Sequence, residues 1–306
     1  ILRKPLKTTV IAMVDLIGDR YIYSLVTVAA QVFNRLFNAD FRMQSPPVPF
    51  TVYYDGVDSV MFEEFPSGEA MRHLAKNLHQ RNELIKQLDF RKNFKEELNK
   101  KFAPKVWHRD MSMAVIIKCP DKSLIGKNFY QIAEEKKQSP ADTFLDLIVE
   151  YDKQIQWTTT IANDRKEKYK HLYNFPYNLI SFSDAGAHLC NMAFYNFPLK
   201  MLKVVQDSIQ ANVPIMSIEK CIWRLTGEQA DWFGLDCGYI KEGKIADITI
   251  INPKYFSDVS EQVVEATIEE FNNYPRLVNR NDKVIAHVIV GGESIFNDGV
   301  FVKGYG

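Results

Sequence analysis

Apolar residues alternate between strand-length runs and helix-spaced stripes along the first part of the chain. Thr8 to Leu16 is a β-branched apolar run, which predicts a buried strand. Tyr21 to Phe37 follows with apolar residues at helical spacing, and Phe41 to Tyr54 is predicted to be extended. Glu64 to Phe102 is rich in charge and predicts a set of amphipathic helices. Because these helices lie between strand signals, they are expected to form an insertion that covers a site.

The alternation of strands and helices returns after Ala114. Strands are predicted at Ala114 to Lys118, Ile155 to Ala162 and Leu179 to Ser183. Helices are predicted at Ile125 to Lys136, Pro140 to Tyr151, Arg165 to Leu172, Phe197 to Ala211 and Ser217 to Gly227, with Gly227 as the cap of the last one. Strands that alternate with helices are typical of a parallel sheet or barrel. A complete eight-fold barrel needs about 250 residues, and the β/α units here supply roughly half of one.

The pattern changes after Asp236, where short strands are separated by glycine-rich turns. This predicts a small β subdomain over residues 236–306. Residues 1–235 are then the α/β part, a carboxyl-terminal piece of a (β/α)8 TIM-like barrel with a helical insertion at about residues 55–112. Within the β subdomain, Tyr255 to Lys283 is polar and is expected to be irregular, with one helix near Glu261 to Phe271.

Composition narrows the choice of partners and compartment. Hydrophobic residues make up 46% and charged residues 25% of the 306 residues, which is ordinary for a globular protein. With 38 basic and 38 acidic side chains, no net field attracts nucleic acid or an anionic membrane. No apolar run reaches the roughly 18–20 residues of a membrane span. The four cysteines lack the close spacing of a metal site, and a cytoplasmic protein with reduced thiols is expected.

The segment FSDAGAH, Phe182 to His188, carries the sharpest chemical signal. A predicted strand ends there, and in a barrel this places Asp184 at the carboxyl-terminal mouth, where active sites lie. A carboxylate at the mouth can bind a metal and transfer a proton, and His188 lies close enough in sequence to face the same opening. The alternative is that Asp184 caps the amino terminus of a helix, because Asp before small residues is common there.

A second cluster is WHRD, Trp107 to Asp110. His108 and Asp110 are positioned in sequence to reach one substrate group, and Arg109 has the geometry to bind a carboxylate through two parallel hydrogen bonds. The alternative is a surface turn held by an ion pair.

A third candidate is Asn163, which follows the predicted strand in TTTIAND, Thr158 to Asp164. By the same barrel argument it is a residue of the mouth, and a turn that begins the next helix is the equal alternative. No P-loop, GxGxxG, HExxH or GxSxG pattern is present, so phosphate-binding loops, zincin sites and serine hydrolase elbows lack support.

Several stretches together resemble the amidohydrolase superfamily. LTGEQADWFGLDCGYIKEGKIADITIINP, Leu225 to Pro253, resembles its junction between barrel and β subdomain, and VIAHVIVGGESIFNDGV, Val284 to Val300, resembles the final hairpin of that subdomain. SDAGAH is similar to the strand-eight aspartate motif of the N-acyl-D-amino-acid deacylase (D-aminoacylase) branch. Ser123 to Glu150 is also similar to that branch. The resemblance extends over about Ala114 to Gly306.

The resemblance implies a metal-dependent-hydrolase barrel with a small β-sandwich subdomain, one or two zinc ions, and hydrolysis of a linear amide. The expected substrate is a small N-acyl compound such as an N-acyl-D-amino acid, with Asp184 as metal ligand and catalytic proton carrier. His188, Asn163, Arg109 and His108 are the candidates for substrate binding. The remaining alternatives are a non-catalytic scaffold that binds a partner and a related cyclic-amide hydrolase.

The sequence also departs from the resembled family. The HxH of strand one is absent from this chain, and the metal-binding Cys and the His residues of strands five and six have no clear counterpart. Thr8 to Leu16 is a candidate for strand six, and it contains no His. The chain begins with Ile1 and is expected to lie inside a longer polypeptide. Most zinc ligands are therefore expected upstream, in an amino-terminal half of the barrel that this chain needs as a partner, with a homo-oligomer as a further option. A degenerate, metal-free homologue is the alternative.

Overall fold

The computed structural model describes residues 5–11, 14–100, 105–183, 188–258, 263–267, 269, 272–279 and 283–302. Its strands are β1 (Lys7–Ile11), β2 (Asp40–Ser45), β3 (Phe50–Asp55), β4 (Val115–Lys118), β5 (Gln156–Ala162), β6 (Asn178–Ile180), β7 (Ile248–Ile251), β8 (Val264–Ala266), β9 (Arg276–Val278), β10 (Ile285–Val290), β11 (Glu293–Asn297) and β12 (Val300–Phe301). Its α-helices are α1 (Ile22–Leu36), α2 (Pro66–His73), α3 (Leu78–Lys86), α4 (Leu88–Leu98), α5 (Phe129–Lys136), α6 (Pro140–Tyr151), α7 (Tyr169–Asn174), α8 (Phe197–Gln210), α9 (Ile218–Leu225) and α10 (Gly227–Phe233). Short 3-10 helices lie at Val60–Glu64, Lys122–Leu124, Asp152–Gln154, Lys166–Lys168 and Pro253–Asp258. Within these ranges, no helix is both long and apolar enough to cross a bilayer.

A parallel sheet of three strands, in the order β1-β2-β6, is the part of the fold that matches the expected β/α pattern. Lys7 to Ile11 pairs in register with Asp40 to Gln44, and Met43 to Ser45 pairs with Asn178 to Ile180. Helix α1 connects β1 to β2 and packs on β2. The mixed α/β class is thus confirmed. Over the described ranges the strands form separate sheets without a closed barrel, and the barrel itself stays a prediction.

The strands β3, β5 and β4 form a separate antiparallel sheet in that order. The expectation that Ala114 to Lys118 and Ile155 to Ala162 belong to a parallel series is therefore wrong. Along β5, buried Trp157, Thr159 and Ile161 alternate with half-buried neighbours. Such alternation is typical of antiparallel strands with one buried face, whereas parallel strands buried on both faces read as continuous apolar runs.

Phe50 to Ala162, here called the antiparallel module, contains this sheet and helices α2 to α6. Aromatic rings fill its core: Trp157 stacks on Tyr54 with ring centroids 3.9 Å apart. Phe144 packs edge-on against Trp157 at 5.8 Å and Phe129 at 5.1 Å. The indole of Trp157 also donates a hydrogen bond of 2.9 Å to the carbonyl of Gly56, so its polar atom is satisfied inside the core.

A second core lies between the parallel sheet and helices α1, α7, α8 and α9. Met43 of β2 and Ile180 of β6 are fully buried there, against Tyr23, Leu172 and Met201 from the surrounding helices. This core contains the strands on which the candidate site depends. Its helices begin largely as the sequence predicts; for example, the hydroxyl of Ser217 accepts the amide hydrogen of Lys220 and caps α9.

Two local expectations are wrong. Gly227 does not end α9 but begins α10, and the left-handed cap at the end of α10 is Gly234 with φ of 74°. The predicted helix near Glu261 to Phe271 is replaced in its described part by β8, which pairs antiparallel with β9. Val264 and Ala266 suit an extended chain, and pairing with β9 outweighs the polar helical pattern.

The carboxyl-terminal region contains an antiparallel sheet in the order β12-β11-β10-β7. Short strands with tight turns are therefore confirmed. Gly291 and Gly292 form the turn between β10 and β11, both with positive φ, which glycine adopts without strain. The second layer of a sandwich and the boundary at residue 235 stay predictions.

Replacing Phe144 by Ala is expected to lower the free energy of unfolding by about 3–5 kcal/mol, because it leaves a cavity among rings that cannot close around it. Urea unfolding followed by tryptophan fluorescence measures the change. Leu88→Ala is the matched control, since Leu88 is 85% exposed and its truncation should change stability by less than about 0.5 kcal/mol. Equal unfolding midpoints for the two variants would contradict this account of the core.

Candidate site at the carboxyl edge of the parallel strands

The chain segments that follow β1, β2 and β6 meet at one edge of the parallel sheet. The amide of Ser181, after β6, donates a 3.2 Å hydrogen bond to the carbonyl of Ser45 at the end of β2. Asp15 follows β1 and is fully buried. Leu16 forms an isolated bridge to Ala162 at the end of β5. The antiparallel module is thereby attached to the edge at which β/α proteins place their ligands.

Asn163 holds this junction together. Its amide nitrogen donates to the carbonyl of Asp15 at 3.0 Å, and its side-chain oxygen accepts from the amide of Asp15 at 2.9 Å. Its side-chain nitrogen donates to the carbonyl of Pro46 at 3.0 Å, and its own carbonyl accepts from the hydroxyl of Tyr169 at 2.8 Å. The residue has φ of 58°, a left-handed conformation that Asn tolerates better than most residues. Asn163 therefore lies beside Asp15 with both ends of its side-chain amide bound to main chain, and its place at the mouth of a barrel stays a prediction.

Charged side chains surround the same junction. Arg165 binds the buried carboxylate of Asp15 through two hydrogen bonds, of 2.7 and 2.6 Å, and Arg20 approaches the same carboxylate at 3.3 Å. The carboxylate of Asp15 raises the pKa of Arg165, which stays protonated. Arg20 also binds Asp164 and holds the pKa of that carboxyl below its usual range. Two cations thus neutralise two carboxylates where β1 and β5 end.

His108 faces the same region from the antiparallel module. Its Nε2 lies 3.1 Å from the carbonyl of Thr160 and 3.0 Å from the hydroxyl of Thr159, while Nδ1 accepts from the amide of Asp110 at 2.9 Å. A carbonyl only accepts, so Nε2 carries the hydrogen and the ring is neutral. Burial lowers the pKa of His108 further. Both ring nitrogens therefore bind the protein itself, and substrate contact by His108 stays a prediction.

Arg109 is directed into the antiparallel module. Its side chain is 1% exposed, and its guanidinium donates to the carbonyl of Glu97 at 2.8 Å and lies over the ring of Phe65 at 4.7 Å. Burial lowers the pKa of Arg109, although the nearby carboxylate of Glu64 opposes this effect. A cation at this place stabilises the carboxyl end of α4. The structure thus separates Arg109 from its sequence neighbour His108, and the proposed clamp on a substrate carboxylate stays a prediction.

Asp184 lies outside the described residues, so its role as catalytic residue or as helix cap stays a prediction. The residues before it are described. Phe182 has φ of 95°, which is strained for a bulky side chain, and its ring packs against Phe50 at 5.4 Å. The hydroxyl of Ser181 is buried without a hydrogen-bond partner. Backbone strain of this kind collects at functional sites, where the surrounding packing maintains it.

The segment after the motif, from His188 onward, lies between β3 and the β8–β9 hairpin. Asn191 exchanges hydrogen bonds with Tyr53 of β3, at 2.9 Å and 2.7 Å. On the other side, the amide of Leu277 donates to the carbonyl of Leu189 at 2.7 Å. The carbonyl of His188 accepts the amides of Asn191 and Met192, which turns the chain. The segment is therefore fixed by main-chain bonds on both sides.

The described residues do not supply a metal site of their own. Among them, no three His, Cys, Asp or Glu side chains come together in a group that could hold an ion. The carboxylate of Asp15 is already paired with the guanidinium groups of Arg165 and Arg20. The described donor set therefore does not fit the zinc ligands that the resemblance implies.

Sequence reasoning missed the ion pairs of Asp15 with Arg165 and Arg20. The signal was present, because Asp15 ends an apolar run just as Asp184 does, and Arg20 follows within the same loop. The pairing of Asp15 with Arg165, across 150 positions of sequence, was not visible without the fold.

No family model matches the chain. Uncharacterized proteins of Mycobacterium bovis and of two strains of Mycobacterium tuberculosis are each 43% identical to it over 273 residues. The match covers 89% of this chain and 44% of each relative. The chain thus spans less than half the length of the curated relatives it matches.

The solved structures to which the chain is similar are amidohydrolases. A D-aminoacylase structure described for its binuclear metal centre aligns with 92% of this chain and 44% of its own, at 14% identity and a TM-score of 0.46. The N-acyl-D-glutamate deacylase from Bordetella bronchiseptica, complexed with zinc and a phosphonate inhibitor, aligns with 89% and 43%, at 13% identity and a TM-score of 0.43. Another D-aminoacylase aligns with 63% and 36%, at 19% identity and a TM-score of 0.37. Because these alignments are partial and of low identity, no residue role is carried over from these structures to this chain.

Asp15→Asn is expected to lower the free energy of unfolding by about 3 kcal/mol, because it leaves Arg165 without its buried partner. The value is at the low end for buried pairs because the Arg165 side chain is 30% exposed. Thermal or urea unfolding measures the loss. Asp164→Asn is the matched control: its carboxyl is 33% exposed, and the change should cost less than about 1 kcal/mol. Equal losses in the two variants would show that Asp15 does not hold the junction.

Stability is also expected to fall in acid because of His108. Burial lowers the pKa of His108 in the folded state, whereas in the unfolded chain it has its ordinary value of about 6.5. As the pH falls below about 6.5, the unfolded chain therefore binds a proton before the folded chain does, and the folded state loses stability. The stabilising contribution is complete above that value and is lost as the pH falls through the folded pKa. Urea midpoints of the parent and of His108→Gln at about pH 7.5 and about pH 5 measure the effect. The parent should lose more stability than the variant, and parallel losses would refute the assignment.

Proposed function

We propose that this chain acts as the carboxyl-terminal part of a metal-dependent amidohydrolase that hydrolyses a linear N-acyl amide. An N-acyl-D-amino acid is the proposed substrate class. The proposal rests on the SDAGAH motif together with the junction and hairpin motifs near the carboxyl terminus. It agrees with the kind of enzyme found among the similar solved structures, although those alignments do not carry it.

One observation supports the proposal most directly: the motif leaves β6 at the edge where the segments after β1 and β2 also end. Ser181 still pairs with Ser45 there, and Phe182 is already strained. In β/α folds, side chains at the carboxyl ends of parallel strands converge on one opening. A carboxylate three residues after Ser181 is thereby proposed to face that opening, beside the junction built by Asp15 and Asn163.

The proposed role of Asp184 is proton transfer. Its carboxylate accepts the proton of the water that attacks the amide carbon, and returns it to the nitrogen of the leaving amine as the C–N bond breaks. His188 is proposed to contact the substrate, since it lies at the far end of the same motif. Because the described contacts of Asn163 and His108 are with other residues of the protein, their proposed contribution is to position the segments around the substrate. Arg109 is proposed to do the same for the antiparallel module through α4.

Because of the resemblance to amidohydrolases, we also propose that the complete protein binds one or two zinc ions. Because the described residues do not form a ligand set, the remaining ligands are proposed to come from polypeptide upstream of Ile1, in an amino-terminal half of the barrel. Asp184 is then the metal ligand that this chain contributes. Carboxylate oxygen is an accepted ligand of zinc, alongside His and Cys.

Asp184→Ala is expected to reduce kcat on N-acetyl-D-amino acids by about 10²–10⁴-fold, the usual contribution of a general acid–base group. The assay uses the complete polypeptide in which this chain occurs, with the released amino acid as readout. Asp207→Ala is the matched control, because Asp207 is exposed on α8 and pairs with Lys203 one turn away. Its activity should equal that of the parent.

Several outcomes would count against the proposal. Turnover within about tenfold of the parent in Asp184→Ala would remove the proton-transfer role. Elemental analysis without zinc in the complete polypeptide would favour a non-catalytic scaffold. Hydrolysis of ring amides with none of linear N-acyl amides would keep the superfamily and reject the proposed branch.

A further inference from the structure

Helix α1 is apolar on the side that faces away from the sheet. Tyr23, Thr27 and Ala30 are buried on its inner side. Its outer side and amino-terminal end expose Tyr21, Leu25, Val28, Val32 and Leu36, between 42% and 79% exposed. Spacings of three and four residues place these side chains on one stripe. A helix that is apolar on both sides is ordinarily buried on both sides.

Charge does not protect this stripe from contact. Arg35 is the only charged residue within Ile22–Leu36. Helix α4 shows the contrast, because its apolar residues Phe90, Phe94 and Leu98 are buried while its other faces carry Asp, Lys and Glu. Exposed stripes of large apolar side chains mark interaction surfaces in native proteins.

Strand β1 is uncovered beside this helix. It is the outermost strand of its sheet over the described ranges, so one row of its N–H and C=O groups has no neighbouring strand. Val10 and Ile11, which point to opposite faces of the sheet, are 42% and 47% exposed, and Leu6 is 67% exposed. An open edge with apolar side chains on both faces is a template for pairing with another chain segment.

We infer that Leu6, Val10, Ile11 and the outer stripe of α1, here called the α1–β1 surface, dock one specific occupant. That occupant is the portion of polypeptide that the curated relatives carry outside the matched region. The matched region is 44% of each relative, so more than half of that polypeptide is free to supply it. The inference holds whether or not the chain hydrolyses amides, because it concerns assembly.

The chemistry of the surface selects this occupant. A strand edge needs main-chain donors and acceptors, whereas the stripe needs apolar side chains, and a strand joined to an amphipathic helix supplies both. Within β1 the only charged residue is Lys7, and within α1 it is Arg35, so apolar and main-chain contacts, not ion pairs, are expected to select the partner. The competing occupant is a second copy of this chain. It would present its own β1 and α1, whose positions relative to each other are fixed by the fold.

The experiment co-produces this chain with the unmatched portion of a Mycobacterium tuberculosis relative, each carrying a different tag. Light scattering after size exclusion gives the stoichiometry, and hydrogen exchange reports on the amides of Lys7–Ile11 and Ile22–Leu36. The test variant is Leu25→Glu with Val28→Glu, and the control is Leu88→Glu on α4. Since all three side chains are solvent-exposed, each variant should retain the circular dichroism and unfolding midpoint of the parent.

A one-to-one complex is expected, with slower exchange in both segments than in the isolated chain. The double variant should weaken it by at least about tenfold in Kd, or about 1.4 kcal/mol, and Leu88→Glu should leave it unchanged. Absence of a complex, or equal weakening by the control, would overturn the inference. So would self-association of the isolated chain that protects the same amides and is lost in the double variant, because the occupant would then be a second copy.

Discussion

The reciprocal hydrogen bonds between Asp15 and Asn163 are the contact on which the arrangement of the two cores depends. Asp15 follows β1 of the parallel sheet, and Asn163 directly follows the antiparallel module. The main-chain amide of Asn163 donates to the carbonyl of Asp15, and the main-chain amide of Asp15 donates to the side-chain oxygen of Asn163, both at about 3 Å. Because both residues are fully buried, loss of either partner would leave polar groups without water to replace it. The Asp15 carboxylate adds the clamp to Arg165. One buried junction thereby fixes the position of the module relative to the strand ends.

Sequence patterning predicted the elements of the fold better than their pairing. The stripe of α1 and the cap at Ser217 are local signals, and both elements lie close to where they were expected. The direction of β5 depends on β3 and β4, which lie far away in sequence, and the alternation of buried and half-buried side chains along β5 emerges only with the fold. Short apolar runs do not distinguish a parallel from an antiparallel partner. The helix expected near Glu261 failed for the same reason, since β9 determines the pairing of β8.

For the candidate site, the position of a residue along a strand was easier to predict from the sequence than the contacts of its side chain. Asn163 was expected at a strand end and lies there, but its side chain completes hydrogen bonds of the main chain. His108 and Arg109 are adjacent in sequence, yet the positive φ of Arg109 sends their side chains to different neighbours. Spacing alone assigned both residues to substrate binding. Whether a polar residue is free for a ligand depends on how many protein partners it has, and those partners come from distant segments.

Strand β1 connects the proposed chemistry to the proposed assembly. Its carboxyl end leads to Asp15 at the site. Over the described ranges its outer edge has no neighbouring strand, and most of its side chains are exposed. In the isolated chain, one parallel ladder to β2 and the Asp15 junction hold this strand. A strand secured on one side opens at lower free energy than one paired on both sides. Pairing at the outer edge would therefore restrain the strand that carries Asp15, and so stabilise the geometry of the site without any new contact to a substrate.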